Sequence, residues 1–329
     1  MSESNSKRIA KNTVLLYVRM VMSVLVSLYT SRVVLQVLGV DDFGIYGIVG
    51  GVVTLFAFLN ATMSGATSRF ITYAIGKGNE EHIREVFSTA VQVHLAIALV
   101  IVILAETVGL WILETKLVIP QERMFAARIV YQFSVLALAV QVAQVPYNGS
   151  IIAYERMDVF AYVELLNVFL KLGIVYLLML MDFDKLILYA ILVLSVNILI
   201  AMIYRIYCIR KISTCHYKHI IRKDLMIPML SYSGWDLYGN VCTTLRSQCV
   251  NIIINMFFGV ALNAASSVAN SVQGVVSNLS GNVIQAFRPQ IIKSYAQGNF
   301  TYMNSLVSNA VKYTLILFMM LCVPLTFEI

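Results

Sequence analysis

Apolar residues run along this chain in long blocks separated by short polar connections. Stretches 12–38, 44–73, 86–113, 123–146, 159–181, 186–209, 225–257, 261–288 and 303–327 each read as a helix. A helix crosses a bilayer with about 20 mostly apolar residues, and each stretch is of that order. The connections after the second, fourth, sixth and eighth helices contain "GKGNEEHIR", "AYERMD", "RKISTCHYKHIIRKD" and "RPQIIKSYAQGN", all polar and basic. The pattern predicts an all-α integral membrane protein with about nine transmembrane helices.

Composition sharpens that reading. The 329 residues are 59% hydrophobic and 12% charged, with a mean hydropathy of +0.80. Soluble domains average about 45–50% and about 25%, so no separate soluble domain is expected. The first apolar run exceeds the roughly 7–15 residues of a signal-peptide core and reads as an uncleaved helix. The net charge of +7 is a topology signal rather than a nucleic-acid footprint. Of the 24 basic residues, 15 fall on the side of the N-terminus, from Lys7 and Arg8 to Arg288 and Lys293. Four lie on the other side (Arg32, Lys116, Arg123, Lys185) and five within helices (Arg19, Arg128, Lys171, Arg246, Lys312). Basic loops stay on the cytoplasmic side, which puts the N-terminus there.

A shift of 220 residues lays "LGV" at 38–40 on "FGV" at 258–260 and "GN" at 78–79 on "GN" at 298–299. A period holding six helices suggests a six-plus-six transporter of two lobes. Residues 1–210 are then a first six-helix lobe, and 211–329 the first three helices of a second lobe, expected to be truncated.

Residues three or four apart share a helix face. One face of the first helix holds Arg19, Ser23, Ser27 and Thr30. The fifth helix aligns Glu164, Asn167 and Lys171. The seventh aligns Asp236, Asn240, Thr244, Ser247, Asn251 and Asn255, with Arg246 at the edge, and the eighth Asn263, Ser267, Asn270, Gly274, Ser277, Gly281 and Gln285. Polar groups facing lipid are costly, so these stripes turn towards other helices or towards water. Small and amide side chains also serve as glue between helices, but stripes this long in the first, seventh and eighth helices favour a water-filled cavity. Arg128 is near enough to a helix end to snorkel, and Arg19 could do the same. Lys171 sits mid-helix, about 10 Å by helical rise from Glu164, too far for direct pairing. Basic residues within helices outnumber the acids, chiefly Glu106, Glu164 and Asp236. A cavity with a cationic surplus attracts an anion. The candidate cavity residues are Arg19, Arg32, Glu164, Asn167, Lys171, Asp236, Arg246, Asn270 and Lys312.

Other signals carry little. Cys208, Cys215, His216 and His219 cluster before the seventh helix without zinc-finger spacing. His94 reads as a packing histidine, and the five cysteines form no CxxC motif. "NGS" at 148 and "NFT" at 299 fall on the side read as cytoplasmic. No phosphate-cradling GxxxxGK[ST] loop, HExxH or nucleophile elbow is present, so neither an enzyme nor a cofactor is expected.

Three stretches carry a family resemblance: "SRVVLQVLGVDDFGIYGIVGGV" at 31–52, "MSGATSRFITYAIGKGN" at 63–79 and "VPYNGSIIAYERMDVFAYVELLNVFLKLGIVYLL" at 145–178. The chain resembles the polysaccharide-transport branch of the multidrug/oligosaccharidyl-lipid/polysaccharide (MATE-like) exporter superfamily, most closely bacterial O-antigen and lipopolysaccharide flippases. The resemblance implies two six-helix bundles around a cavity lined by helices 1, 2, 7 and 8. It implies an undecaprenyl-pyrophosphate-linked oligosaccharide as substrate, flipped by alternating access in the bacterial cytoplasmic (inner) membrane for surface polysaccharide biosynthesis. It matches cavity arginines to Arg19 and Arg32, and a basic residue of the seventh helix to Arg246. Membrane lipids and other polysaccharide assembly proteins are the expected partners. The alternatives are a cation-coupled multidrug exporter of the same superfamily, a membrane enzyme, and a non-transporting scaffold of a polysaccharide assembly complex.

Overall fold

A computed structural model describes residues 2–181, 183–218 and 222–327. Its elements are α1 (Ser2–Lys77), α2 (Glu80–Leu104), a π-helical turn (Ala105–Gly109), α3 (Leu110–Thr115), α4 (Met124–Ala153), α5 (Met157–Met179), α6 (Lys185–Lys211), α7 (Lys223–Ala296) and α8 (Phe300–Phe327).

Two of these are too long to be single crossings. A straight helix of α1's 76 residues would reach about 114 Å, against a hydrocarbon core of about 30 Å. Its backbone breaks at Gly39, with φ 78° and ψ 172°, a conformation glycine takes without steric cost. The two arms, 2–38 and 40–77, fold together: Ile9 and Leu16 share a buried cluster with Ile71 and Ala74. The connection expected over 39–43 is thus reduced to one residue. In α7, Tyr232 and Asp236 line the same cavity as Arg288 and Ile291. A straight helix would hold Asp236 and Arg288 about 78 Å apart, so α7 also doubles back between them. The backbone at 258–260, expected to be a turn, is helical. With both arms of α1 and of α7 counted, and α2 to α3 taken as one rod, the described residues form nine helices, as the hydrophobic pattern predicts.

Local chemistry explains the other departures. The third helix begins earlier than expected because Asn79 caps it, accepting hydrogen bonds from the Glu81 and His82 amides at 3.0 and 3.1 Å. The π turn is held from outside: Tyr131 donates to the Ala105 carbonyl at 2.7 Å. A Cβ on Gly109 would stand 1.9 Å from the Tyr131 hydroxyl.

Ion pairs mark the two ends of the bundle. At the N-terminal face, Arg222 bonds Glu85 at 2.9 Å and Asp224 at 2.8 Å, and the hydrogen bonds from Arg222 hold the Asp224 carboxyl below the usual carboxylate range. At the opposite face Arg123 joins Asp42 at 2.5 Å and Asp184 at 2.6 Å. Arg128 reaches Glu114 there at 2.8 Å, as its shallow position predicts.

The 220-residue repeat is written into the backbone. Gly78 and Gly298 both have positive φ, 77° and 74°. Asn299 caps α8 through the Tyr302 amide at 3.1 Å, as Asn79 caps α2. Gly76 and Ala296 also match under this shift, and they touch: a Cβ on Gly76 would lie 2.6 Å from the Ala296 Cβ. Repeat-related helices therefore cross at a repeat-related pair.

Candidate functional site

Two polar chambers stand out. The first lies inside the bundle formed by α1, α4, α5 and α6. Arg19 does not snorkel outwards. Its guanidinium stacks on the Phe160 ring, 4.8 Å from the centroid, and feels the charge of Glu164. Glu164 accepts a hydrogen bond from the Tyr204 hydroxyl at 3.0 Å. Lys171, two turns along α5, is within the electrostatic reach of the same carboxylate but makes no ion pair with it among the described residues. One carboxylate on α5 thus serves two cations, one from α1 and one from its own helix, and a hydroxyl from α6. Arg19 Nε and Asn167 Oδ1 are buried with no hydrogen-bond partner among the described residues, so both can still bind a polar group. Lys171 borders a cavity of about 240 Å³ with Tyr46, Gln141 and Asn197. Gln141 donates to Asn197 at 3.4 Å.

The second chamber, about 680 Å³, opens between the second arm of α1 and α7 with α8. Its charged lining is Arg69, Arg288 and Asp236, and its aromatic lining Phe70, Tyr73, Tyr232 and Tyr295. Arg69 stacks on the Tyr232 ring at 4.6 Å. The two arginines lie at matching depth, each eight residues before the end of its helix, about 12 Å of rise. Among the described residues neither is paired with a carboxylate, so both remain available to an anion.

Of the sequence candidates, Arg19 and Lys171 are each linked by charge to Glu164, Asn167 lies between Glu164 and Lys171 along α5, Lys171 lines the smaller cavity, and Asp236 lines the second. Arg32, Arg246, Asn270 and Lys312 are exposed and border neither chamber. Lys171 faces the interior of the first bundle, not the gap between α1 and α7. The side chains of Ser247, Asn251, Asn255, Asn263 and Ser267 and all of His219 lie outside the described residues. Arg69 and Arg288 escaped the sequence reading because they count among the basic residues near loops. Their signal was spacing, each eight residues before a helix end in repeat-related helices.

A bundle of membrane-length helices is the architecture of a multi-pass membrane protein. Residues 16–177 match the MatE family model. Solved structures agree in fold. A crystal structure of MATE in the straight conformation superposes with a TM-score of 0.80 at 12% identity, covering 95% of this chain and 70% of that one. The outward-facing conformation of a multidrug resistance MATE family transporter gives 0.78 at 14%, with the same coverage. A MOP superfamily transporter from Pyrococcus furiosus, described as having a binding pocket of reverse polarity suggesting a different function, gives 0.75 at 15%, again covering 95% and 70%. No curated protein matches the sequence.

Proposed function

We propose that this protein carries a lipid-linked, anionic oligosaccharide across the bacterial cytoplasmic membrane by alternating access, for surface polysaccharide or O-antigen biosynthesis, with its N-terminus in the cytoplasm. The observation that carries the reading is the pair of arginines, Arg69 and Arg288, across one 680 Å³ chamber, neither paired with a carboxylate among the described residues. Two guanidiniums at equal depth suit a diphosphate, which accepts bidentate hydrogen bonds from each. The four aromatic rings around them offer faces on which sugar rings can stack. The head group would pass through the chamber while the lipid tail stays in the bilayer. A cationic drug fits the same space poorly, because among the described lining residues Asp236 is the one acid against two arginines.

The test is binding of undecaprenyl pyrophosphate in detergent, followed by native mass spectrometry. Hydrogen bonds to charged groups contribute about 1.5–3 kcal/mol, so Arg69→Ala with Arg288→Ala lowers affinity at least tenfold. Unchanged affinity in the double variant contradicts the assignment.

A further inference from the structure

The turn between α4 and α5 is built around one residue. Glu155 is the non-glycine residue with positive φ among those described, at 61°. Such backbone persists where the surroundings over-determine it. Its side chain is 2% exposed, and an unpaired carboxylate at that depth would be strongly disfavoured. Three donors converge on it. Arg8 of α1 bonds Oε2. Gln290 donates to Oε2 at 2.7 Å and Lys293 to Oε1 at 2.6 Å. Arg8 belongs to the first bundle, as Glu155 does. Gln290 and Lys293 belong to the returning arm of α7.

The surroundings make this a closure rather than a general tie. One turn away, the α1–α7 crossing is tight enough that Gly76 rests on Ala296 and on the Lys293 backbone. The hydrogen bonds and ring contacts described between α1 and α7 lie in the half nearest this face: Tyr17 with Leu279, Met20 with Asn282, Tyr73 with Tyr295 and Arg69 with Tyr232. Towards the opposite face Val21, Val24 and Leu28 of α1 and Leu245 and Val250 of α7 are exposed.

We infer that Glu155 is the latch that holds the N-terminal face shut, through Lys293 and Gln290 of α7, and that this face opens only when those two donors leave the carboxylate. The inference rests on the transport reading only in that a transporter must open this face at some stage. When α7 swings away, Arg8 remains on Glu155, so the carboxylate is never left without a cation. That arrangement makes the latch reversible, because the bond that breaks is between bundles and the bond that stays is within one.

The test uses the full chain with its five cysteines replaced by serine and one reporter, Ser294→Cys, at a buried position of the closed crossing. The readout is the rate of labelling by a membrane-impermeant maleimide in detergent. Glu155→Gln and Lys293→Met, each made separately, speed labelling at least tenfold. Arg8→Met leaves the rate within about twofold, because it removes no bond to α7. Lys293→Met carries the test if Glu155→Gln fails to fold. Parental rates in both Glu155→Gln and Lys293→Met, or equal acceleration by Arg8→Met, overturn the latch. No substrate is involved, so the outcome is independent of whether an anionic lipid is the cargo.

Discussion

At the scale of single residues, a charge within the first bundle is received by several side chains. Glu164 is the clearest case, with Tyr204 bonded directly and Arg19 and Lys171 acting through their charge. Tyr204→Phe removes the one hydrogen bond described for that carboxylate. Leaving a buried acceptor unsatisfied costs about 1–3 kcal/mol, so a lower melting temperature in detergent is expected, and an unchanged one would show that the bond carries nothing. Asn79→Ala removes the α2 cap and costs about 1 kcal/mol, measurable in the same way. How much of this was legible differs by residue. Three-and-four spacing was enough to put Glu164, Asn167 and Lys171 on one face of α5. It could not say which neighbour that face meets, so the choice of Tyr204 as partner was hidden. Arg19 was ambiguous because a guanidinium about 10 Å from a helix end can turn either way; the Phe160 ring and Glu164 decide it inwards.

At the scale of elements, two helical pairs do most of the organising. α1 reverses at Gly39, and a side chain there would be forced into the left-handed region. Gly39→Ala is expected to destabilise by about 1–2 kcal/mol, although nothing lies within 4 Å of the added Cβ, so the penalty would be purely conformational. Gly76 is the reverse case: its backbone is ordinary, but a Cβ meets Ala296. Gly76→Ala is expected to loosen the α1–α7 crossing at a cost of about 1–3 kcal/mol, read as faster labelling of Ser294→Cys. A rate equal to the parent's would show that the crossing accommodates the added Cβ without loosening. The first of these glycines was legible, because "VLGVDDFG" interrupts an apolar run. The close approach at the second was not, since contact between residues so distant in sequence leaves no local pattern. The break expected at 258–260 between two apolar stretches does not form there, where the backbone is helical.

At the scale of the whole molecule, nine helices, polar connections gathered at one face and a repeat of 220 residues follow from hydrophobic patterning, because lipid tolerates few alternatives. The location of the larger chamber does not follow. It depends on how the returning arm of α7 meets the second arm of α1, and it recruits Arg69 and Arg288, which sequence position alone assigns to the membrane surface. In the proposed function these arginines line a passage for a negatively charged lipid head group. The most direct measurement is transport by the full chain in vesicles that hold a fluorescent undecaprenyl-pyrophosphate oligosaccharide and, in parallel, a cationic dye. The expected result is that the lipid-linked sugar changes leaflets, that Arg69→Ala with Arg288→Ala stops it, and that the dye stays where it was loaded. Movement of the dye with no movement of the lipid would contradict it.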